Sequence, residues 1–176
     1  MSGILSFDSL ITSYLRGLFP HSFFVERFFS FFSLQGNSIL IWVLIMSLTI
    51  YLEERKYPGI SLRDKRFTFS FITSFFTTSF LVVYVLKPIF ERARPMLGPT
   101  CMDNYSFPSG HAAAAFAAAA VLTHYDGKQR WFYYFIAILI SFSRIYLGCH
   151  YLVDVLGGAL FGYLVSRIIL KTSPKS

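Results

Sequence analysis

The feature that most constrains this chain is a series of long stretches without charge. Residues 35–52 and 67–86 contain no Asp, Glu, Lys or Arg. Each stretch is long enough to cross the hydrocarbon core of a bilayer as an α-helix. Charged residues make up only 14% of the chain, whereas soluble domains carry about a quarter. We therefore expect lipid, and not water, to cover much of the surface.

Three further apolar segments complete the pattern, at residues 108–123, 131–148 and 154–171. The first is rich in Ala, and the other two carry a few charged side chains, most of them at or near an end. The sequence therefore predicts an all-α integral membrane bundle of five spanning helices, with residues 35–171 as its core. At 176 residues the chain has room for one domain, which leaves residues 172–176 as a short cytoplasmic tail.

Residues 1–34 follow a different pattern. Polar side chains recur at helical spacing opposite an apolar face, Pro20 ends that helix, and a Phe-rich stretch with two charged residues follows. We interpret this segment as one or two helices lying in the membrane interface. One imperfect sixth spanning helix is the alternative. Because Asp8 and Arg16 interrupt the apolar residues and no basic leader precedes them, we expect no cleavable signal peptide.

The net charge of +7 is unevenly distributed. The loops after the first and third predicted spans, together with the C-terminal segment, hold nine of the cations: Arg55, Lys56, Arg63, Lys65, Arg66, Lys128, Arg130, Lys171 and Lys175. With five spans these segments share one side of the membrane, which the positive-inside rule makes cytoplasmic. No basic stripe carries base-stacking aromatics, so we expect no nucleic acid partner.

Four cations fall on the opposite side, where topology does not require them: Lys87, Arg92, Arg94 and Arg144. Ionisable residues at the ends of apolar helices are costly and commonly functional. Arg presents a planar fork that matches phosphate oxygens, and Lys adds a point charge. Lys87, Arg94 and Arg144 therefore predict a site for a multiply charged anion.

The segment Pro108-Ser109-Gly110-His111 stands where an apolar helix begins. Pro near the helix start, Ser as a cap and free backbone N–H groups together form a cradle for an anion. An ordinary helix cap explains this segment equally well when it is taken alone. In the first interpretation His111 lies within the first turn and faces the bound anion.

His150 and Asp154 are four residues apart, so on a helix they share a face. A carboxylate can hold an imidazole in one tautomer and leave the far ring nitrogen as a nucleophile. Taken alone, this pair is equally compatible with a structural contact at a helix start. With His111, the two histidines suit the two tasks of phosphoryl transfer, which are attack on phosphorus and protonation of the leaving oxygen.

These segments resemble the three-part signature of the type 2 phosphatidic acid phosphatase superfamily. The matching residues are Lys87-PIFERA-Arg94-Pro95, then Pro108-Ser109-Gly110-His111, then Ser143-Arg144-IYLGC-His150-YLV-Asp154. All three agree in order, residue type and internal spacing, and the resemblance spans residues 35–171. It implies a membrane enzyme that needs neither metal nor cofactor and hydrolyses a lipid phosphomonoester or diphosphate.

The resemblance also implies a role for each residue. His150 attacks phosphorus and becomes a phosphohistidine, Asp154 orients it, and His111 protonates the leaving oxygen and later helps to activate water. The remaining residues hold the phosphoryl oxygens: Lys87, Arg94, Ser109, Gly110 and Arg144. The other two histidines lie far from this site in the predicted bundle, and no cluster has metal-ligand spacing. Bacterial members commonly have six spans, one more than the five expected here.

The implied substrate is a phosphorylated membrane lipid. Candidates are lipid A 1-phosphate, undecaprenyl diphosphate, phosphatidylglycerol phosphate and phosphatidic acid, and the first two are favoured because the chain resembles compact bacterial enzymes of envelope lipids. The active site would face the periplasm or exterior from the bacterial inner membrane. Loop residues Arg92, Asp103, Asn104 and Tyr105 are compatible with head-group contacts and with plain solvation.

Three other classes remain as alternatives. A lipid phosphotransferase would use the same phosphohistidine but pass the phosphate to an alcohol. A vanadate-dependent haloperoxidase has a similar anion site, but its relatives are soluble. An inactive lipid-binding membrane protein would be expected to lack a catalytic residue, and none is missing.

Two pairs of small residues leave structural alternatives open. Cys101 and Cys149 both fall on the predicted extracytoplasmic side, where an oxidising compartment permits a disulfide that pins the loop over the site. Two free thiols are the alternative. Gly158 and Gly162 form a GxxxG pattern, which favours close packing within one bundle or between two chains, so the oligomeric state stays open.

Overall fold

The computed structural model describes residues 2–33, 37–56, 59, 62–95, 101 and 105–172. Within these ranges it has no strand and eight α-helices: α1 (Ser2–Arg16), α2 (Phe23–Ser33), α3 (Asn37–Lys56), α4 (Leu62–Phe80), α5 (Lys87–Phe90), α6 (Gly110–Tyr125), α7 (Arg130–Tyr146) and α8 (Leu152–Thr172). A π-helical stretch, Leu81–Leu86, joins α4 to α5. The predicted all-α membrane class is confirmed.

Three helical segments in the described part of the chain are long and apolar enough to cross a membrane: Asn37–Arg55, Leu62–Phe90 and Leu152–Thr172. They correspond to three of the five predicted spans. The other two predicted spans are also helical, but α6 and α7 have only 16 and 17 residues. At 1.5 Å per residue these helices are roughly 24–26 Å long, somewhat less than a typical hydrocarbon core.

The central helix of the bundle is α6, which packs against α8, α7 and α4. Most of its alanines are buried, as are Val121 and Leu122 near its end. A helix that is apolar on all sides is typical of a protein interior, and small side chains let neighbouring helices approach closely. The Ala-rich composition therefore reflects a central position in the bundle.

The glycine pattern of α8 faces this central helix. A Cβ atom at Gly158 would lie 2.3 Å from the carbonyl oxygen of Ser109, and one at Gly162 would lie 2.0 Å from that of Ala113. The GxxxG face therefore packs within one chain, which was the first of the two alternatives.

Gly162→Ala is expected to destabilise the bundle, because the added methyl group would overlap the backbone of α6 at Ala113. Overpacking of this kind typically costs about 1–3 kcal/mol. Thermal unfolding in detergent should show a lower midpoint than in the wild type. Gly127→Ala is the matched control, because no atom lies within 4 Å of a Cβ added there. Equal midpoints for the two variants would contradict the close contact between α6 and α8.

The N-terminal segment forms two helices separated by a break that contains Pro20. The alternative of a single spanning helix is therefore wrong, since α1 and α2 have only 15 and 11 residues. α1 packs on α7 and α8, whereas α2 packs on α7 and α3. Their location in the membrane interface stays a prediction.

The two ends of the bundle carry different residues. At one end Arg63, at the start of α4, donates hydrogen bonds to Glu53 of α3 and to the carbonyl of Tyr125 at the end of α6. The opposite end collects the end of α5, the start of α6, the end of α7 and the start of α8. The first basic loop and the predicted anion site are thus at opposite ends of the bundle. Residues 173–176, with Lys175, lie outside the described residues.

Candidate active site

His150 lies in the short connection between α7 and α8 and is only 1% exposed. The N–H groups of Cys149 and His150 donate to the carbonyl of Arg144 at 3.0 and 3.2 Å, and Gly148 adopts a positive φ of 73°. These contacts form a left-handed cap at the end of α7, which satisfies a carbonyl that the helix leaves unpaired. The cap fixes the backbone of His150 just before α8 begins.

The surroundings of His150 determine which ring nitrogen carries the proton. Nε2 lies 3.1 Å from Nη1 of Arg94. A guanidinium group has only donors, so Nε2 accepts and the proton of a neutral ring sits on Nδ1. Nδ1 faces Oδ2 of Asp154 at 3.5 Å, which is longer than a formed N–H···O hydrogen bond. The predicted pair is therefore in close approach, and the lone pair of Nε2 points toward Arg94.

The pKa of His150 is lowered well below its ordinary value of 6.5, mainly by burial and also by the nearby cations Arg94, Arg144 and Lys87. Both effects disfavour the protonated ring. At neutral pH His150 is accordingly uncharged, which is the form that a nitrogen nucleophile requires.

Asp154 is fully buried in the first turn of α8. Its Oδ2 accepts from the N–H of Tyr151 at 2.8 Å, and its Oδ1 accepts from Nη1 of Arg92 at 2.6 Å. Its backbone carbonyl accepts from the N–H of Ser109 at 2.9 Å. A buried carboxylate is costly unless it is hydrogen-bonded. Asp154 therefore ties α8 to the start of α6 and to the segment after α5.

Two of the predicted phosphate-binding cations converge beside His150. Lys87 is buried, and its Nζ donates to the carbonyl of Tyr105 at 2.6 Å. Arg94 donates to the same carbonyl at 3.3 Å and to the carbonyl of Cys149 at 2.7 Å. Positive charge from the start of α5 and from the non-helical segment that follows it is thus concentrated in front of Nε2.

The third predicted cation, Arg144, is buried at the end of α7 and reaches the N-terminal segment. Its Nη1 donates to the carbonyl of Ser33 at 3.1 Å and also to the Ser33 hydroxyl. Ser33 ends α2, where helix carbonyls lack intrahelical partners. Arg144 is nevertheless close enough to Lys87 and His150 to act electrostatically on both.

Ser109, Gly110 and His111 form the predicted start of a helix. Ser109 is the N-cap of α6, and its hydroxyl accepts from the N–H of Ala112 at 3.4 Å. Gly110 and His111 occupy the first turn. His111 lies within electrostatic reach of His150 and of the three cations around it. The structure therefore brings together all eight residues singled out from the sequence, whereas their roles in catalysis and phosphate binding stay predictions.

Asp8 and Arg92 were not predicted as part of this site. Arg92 is 16% exposed and lies between two carboxylates, donating to Asp154 and, at 2.6 Å, to Oδ2 of Asp8. It is thus neither a solvated loop residue nor directed at a head group. The only sequence signal for Asp8 was a lone carboxylate in an amphipathic helix. Asp103 and Asn104 lie outside the described residues.

Cys101 and Cys149 are joined by a disulfide, with 5.3 Å between their Cα atoms. The alternative of two free thiols is therefore not what the structure shows. The bond ties the loop after α5 to the residue directly before His150.

The fold and the site together define an integral membrane protein with a buried histidine–carboxylate pair that faces a cluster of cations. The chain belongs to the PAP2 superfamily, whose family model matches residues 66–176.

Two curated relatives have names that describe lipid chemistry. Phosphatidylglycerophosphatase B of Bacillus subtilis is 36% identical over 106 residues, which cover 53% of this chain and 52% of that protein. Undecaprenyl-diphosphatase of Sulfolobus acidocaldarius is 32% identical over 138 residues, covering 72% of this chain and 60% of that protein. The chain thus spans between half and two thirds of the length of these relatives.

Two solved structures share the fold. The PAP2-type phosphatidylglycerolphosphate phosphatase of Bacillus subtilis superimposes with a TM-score of 0.66 at 24% identity, covering 97% of this chain and 86% of that one. LpxE of Aquifex aeolicus gives a TM-score of 0.64 at 25% identity, with 92% and 93% of the two chains covered. Both likenesses cover more of this chain than the matched family region.

Proposed function

We propose that this chain is a membrane lipid phosphatase that hydrolyses a phosphomonoester or diphosphate through a phosphohistidine on His150. The observation that carries the proposal is the orientation of the His150 ring, with Nδ1 toward Asp154 and the lone pair of Nε2 toward Arg94. The names of the two curated relatives support the substrate class, since both are phosphatases of membrane lipids.

In the first step the phosphoryl group of the lipid lies in front of Nε2. Its oxygens take the donors of Lys87 and Arg94, which in the structure reach backbone carbonyls. Nε2 forms a bond to phosphorus while the bond from phosphorus to the lipid oxygen breaks, and His111 gives that oxygen a proton. Asp154 stabilises the positive charge that develops on the His150 ring, and the cations stabilise the negative charge on the phosphoryl oxygens.

In the second step water replaces the lipid oxygen. His111 takes a proton from the water, the water oxygen bonds to phosphorus, and the bond from phosphorus to Nε2 breaks. Inorganic phosphate leaves and His150 returns to its neutral form. The same residue thus acts as acid and then as base, as the symmetry of the two steps requires.

The proposed reaction needs no metal, because Lys87, Arg94 and Arg144 supply the positive charge that metal ions supply in other phosphoryl-transfer sites. In the described ranges no three His, Cys, Asp or Glu side chains are grouped so that they would hold a metal ion.

Among the candidate lipids we place undecaprenyl diphosphate and lipid A 1-phosphate first. The relative named for undecaprenyl diphosphate aligns with 72% of this chain, which supports that choice. The head group would enter the cationic site while the hydrocarbon chains stay in the bilayer. Because the basic loop lies at the opposite end of the bundle, we place the site on the periplasmic or exterior face of a bacterial inner membrane.

The test is release of inorganic phosphate by the detergent-purified protein in EDTA, with the four candidate lipids offered separately. We expect release from at least one lipid, unchanged by the chelator. A rate that is lost in EDTA and restored by a divalent cation would contradict metal independence. Folded protein that releases phosphate from none of the lipids would overturn the phosphatase, and transfer to an added alcohol would then identify a phosphotransferase.

The value of kcat/KM is expected not to decrease as the pH falls through 6.5, because the pKa of His150 lies well below that value and the ring keeps its lone pair. Arg94→Gln removes a cation that lowers the pKa of His150. As the pH falls, this variant should therefore begin to lose activity nearer to neutral pH than the wild type does. Phosphate esters ionise at about pH 6. The ionisation of the substrate is therefore measured by phosphorus NMR, and the pH profile of kcat/KM is corrected for it. A decrease of wild-type kcat/KM toward acid with its midpoint at pH 6.5, after that correction, would contradict a neutral nucleophile.

A further inference from the structure

Helix α1 contacts the start of α8 through two polar side chains. Thr12 Oγ1 accepts from the N–H of Leu152 at 3.0 Å, and Asp8 Oδ1 accepts from the N–H of Val153 at 3.2 Å. The first N–H groups of a helix have no partner within that helix, and side-chain oxygens commonly satisfy them. Here the capping oxygens come from a helix that precedes α8 by some 140 residues in sequence. α1 therefore fixes the turn that carries Asp154.

Arg92 connects the same helix directly to the carboxylate. Its Nη1 and Nη2 lie 2.6 Å from Asp154 Oδ1 and from Asp8 Oδ2. Its Cζ atom lies over the Tyr151 ring, 4.3 Å from the ring centre. Asp8 is itself only 4% exposed. Two carboxylates and an aromatic ring thus hold Arg92 on three sides, and its two amino groups bridge the two carboxylates, which a single Lys ammonium group is less suited to do.

The distribution of charge gives this arrangement a role. If Asp8 were absent, Arg92 would form an ion pair with Asp154 alone. The negative charge of Asp154 would then stabilise Arg92 more and His150 less. Asp8 takes the second amino group, so the guanidinium is shared between the two carboxylates. Asp154 is then held at Oδ1 by Arg92, while Oδ2 remains directed toward Nδ1 of His150.

We propose that Asp8 and Arg92 are positioning residues that hold Asp154 behind His150, which makes α1 a part of the catalytic centre. This inference rests on the proposed function of His150 and Asp154. Neither residue touches the reacting phosphoryl group in this scheme, since both amino groups of Arg92 are occupied by carboxylates. Their effect is therefore expected in kcat and not in KM.

The experiment compares kcat and KM for the full chain and for Asp8→Asn, Arg92→Gln, Arg92→Lys and the double variant Asp8→Asn/Arg92→Gln. Loss of an orienting partner typically costs roughly 10–100-fold, so we expect kcat to fall about tenfold for Asp8→Asn and about a hundredfold for Arg92→Gln. KM should stay within about twofold. Arg92→Lys should recover little activity, because an ammonium group cannot bridge both carboxylates in one plane.

The double variant tests whether Asp8 acts through Arg92. If it does, the double variant is no slower than Arg92→Gln, whereas independent effects would multiply. Arg16→Gln is the control for docking of α1 alone, since Arg16 lies on α1 and donates to the carbonyl of Tyr146 at the end of α7. A kcat for Asp8→Asn equal to that of Arg16→Gln would overturn the proposal. Multiplied losses in the double variant would overturn the part of it in which Asp8 acts through Arg92 and not through its own contact with the N–H of Val153.

Hydrogen exchange separates this inference from the proposed function. The amides of Leu152 and Val153 should exchange faster in Asp8→Asn than in Arg16→Gln, whether or not the protein releases phosphate. Equal exchange in the two variants would overturn the positioning role. An inactive wild type with the expected exchange difference would instead overturn the phosphatase function and leave α1 holding the start of α8.

Discussion

His150→Gln is expected to reduce phosphate release by a factor on the order of 10⁴ or more, because it removes the atom that bonds to phosphorus. Gln is uncharged and of similar length, and its amide oxygen can accept from Arg94 in place of Nε2. The fold and the cationic cluster should therefore persist. We expect binding of inorganic phosphate to be retained while the rate of release is lost.

The measurement is the initial rate of release per folded molecule, with folding judged by elution of a monodisperse protein in detergent. His124→Gln is the matched control, since His124 is an exposed histidine in the last turn of α6, where Tyr125 contacts the basic loop. It should release phosphate at nearly the wild-type rate. Retention of more than about a tenth of the activity in His150→Gln would exclude this residue as the nucleophile.

Asp154→Asn is expected to reduce kcat by roughly 10²–10⁴-fold, the range set by removing an orienting carboxylate from a histidine in other enzymes. Both carboxylate oxygens accept from donors, which are Arg92 at Oδ1 and the N–H of Tyr151 at Oδ2. An amide offers only one acceptor, so its NH₂ group must face a donor. At the Oδ2 position it would favour the His150 tautomer with the proton on Nε2, which cannot attack. At the Oδ1 position the charge that stabilises the developing imidazolium is still lost.

Asp126→Asn provides the comparison, because Asp126 also binds two donors, the N–H of Lys128 and the hydroxyl of Tyr133, at the opposite end of the bundle. It is expected to lower thermal stability and to leave kcat unchanged. Equal losses of kcat in Asp154→Asn and Asp126→Asn would show that the effect of Asp154 is one of stability alone.

Much of the site could be predicted from the sequence because its parts are local. The spacing of His150 and Asp154 places them together at one helix start, and Ser109 stands where an apolar run begins. Such features depend on a few consecutive residues and on general helix geometry. The predicted order of spans brings the separate segments to one side, and in the structure they lie at one end of the bundle.

The contacts that the sequence did not predict join residues that are distant along the chain. Asp8 meets Arg92 across 84 residues, and Arg144 meets Ser33 across 111. No local periodicity specifies such a pair, because it depends on how α1 and α2 dock on the finished bundle. The sequence likewise indicated close packing at Gly162 without naming α6 as its partner. The π-helical stretch before Lys87 had no sequence signal that we can identify.

The central claim is a covalent phosphohistidine on His150, and the most direct measurement is to trap it. Protein mixed with a radiolabelled lipid substrate is quenched with base within milliseconds, because phosphohistidine survives base and is lost in acid, and the labelled peptide is then sequenced. We predict that the label appears on His150, disappears when unlabelled substrate is added, and is absent from His150→Gln. Steady release of phosphate with no label on the protein at any time, or with label on another residue, would contradict the account.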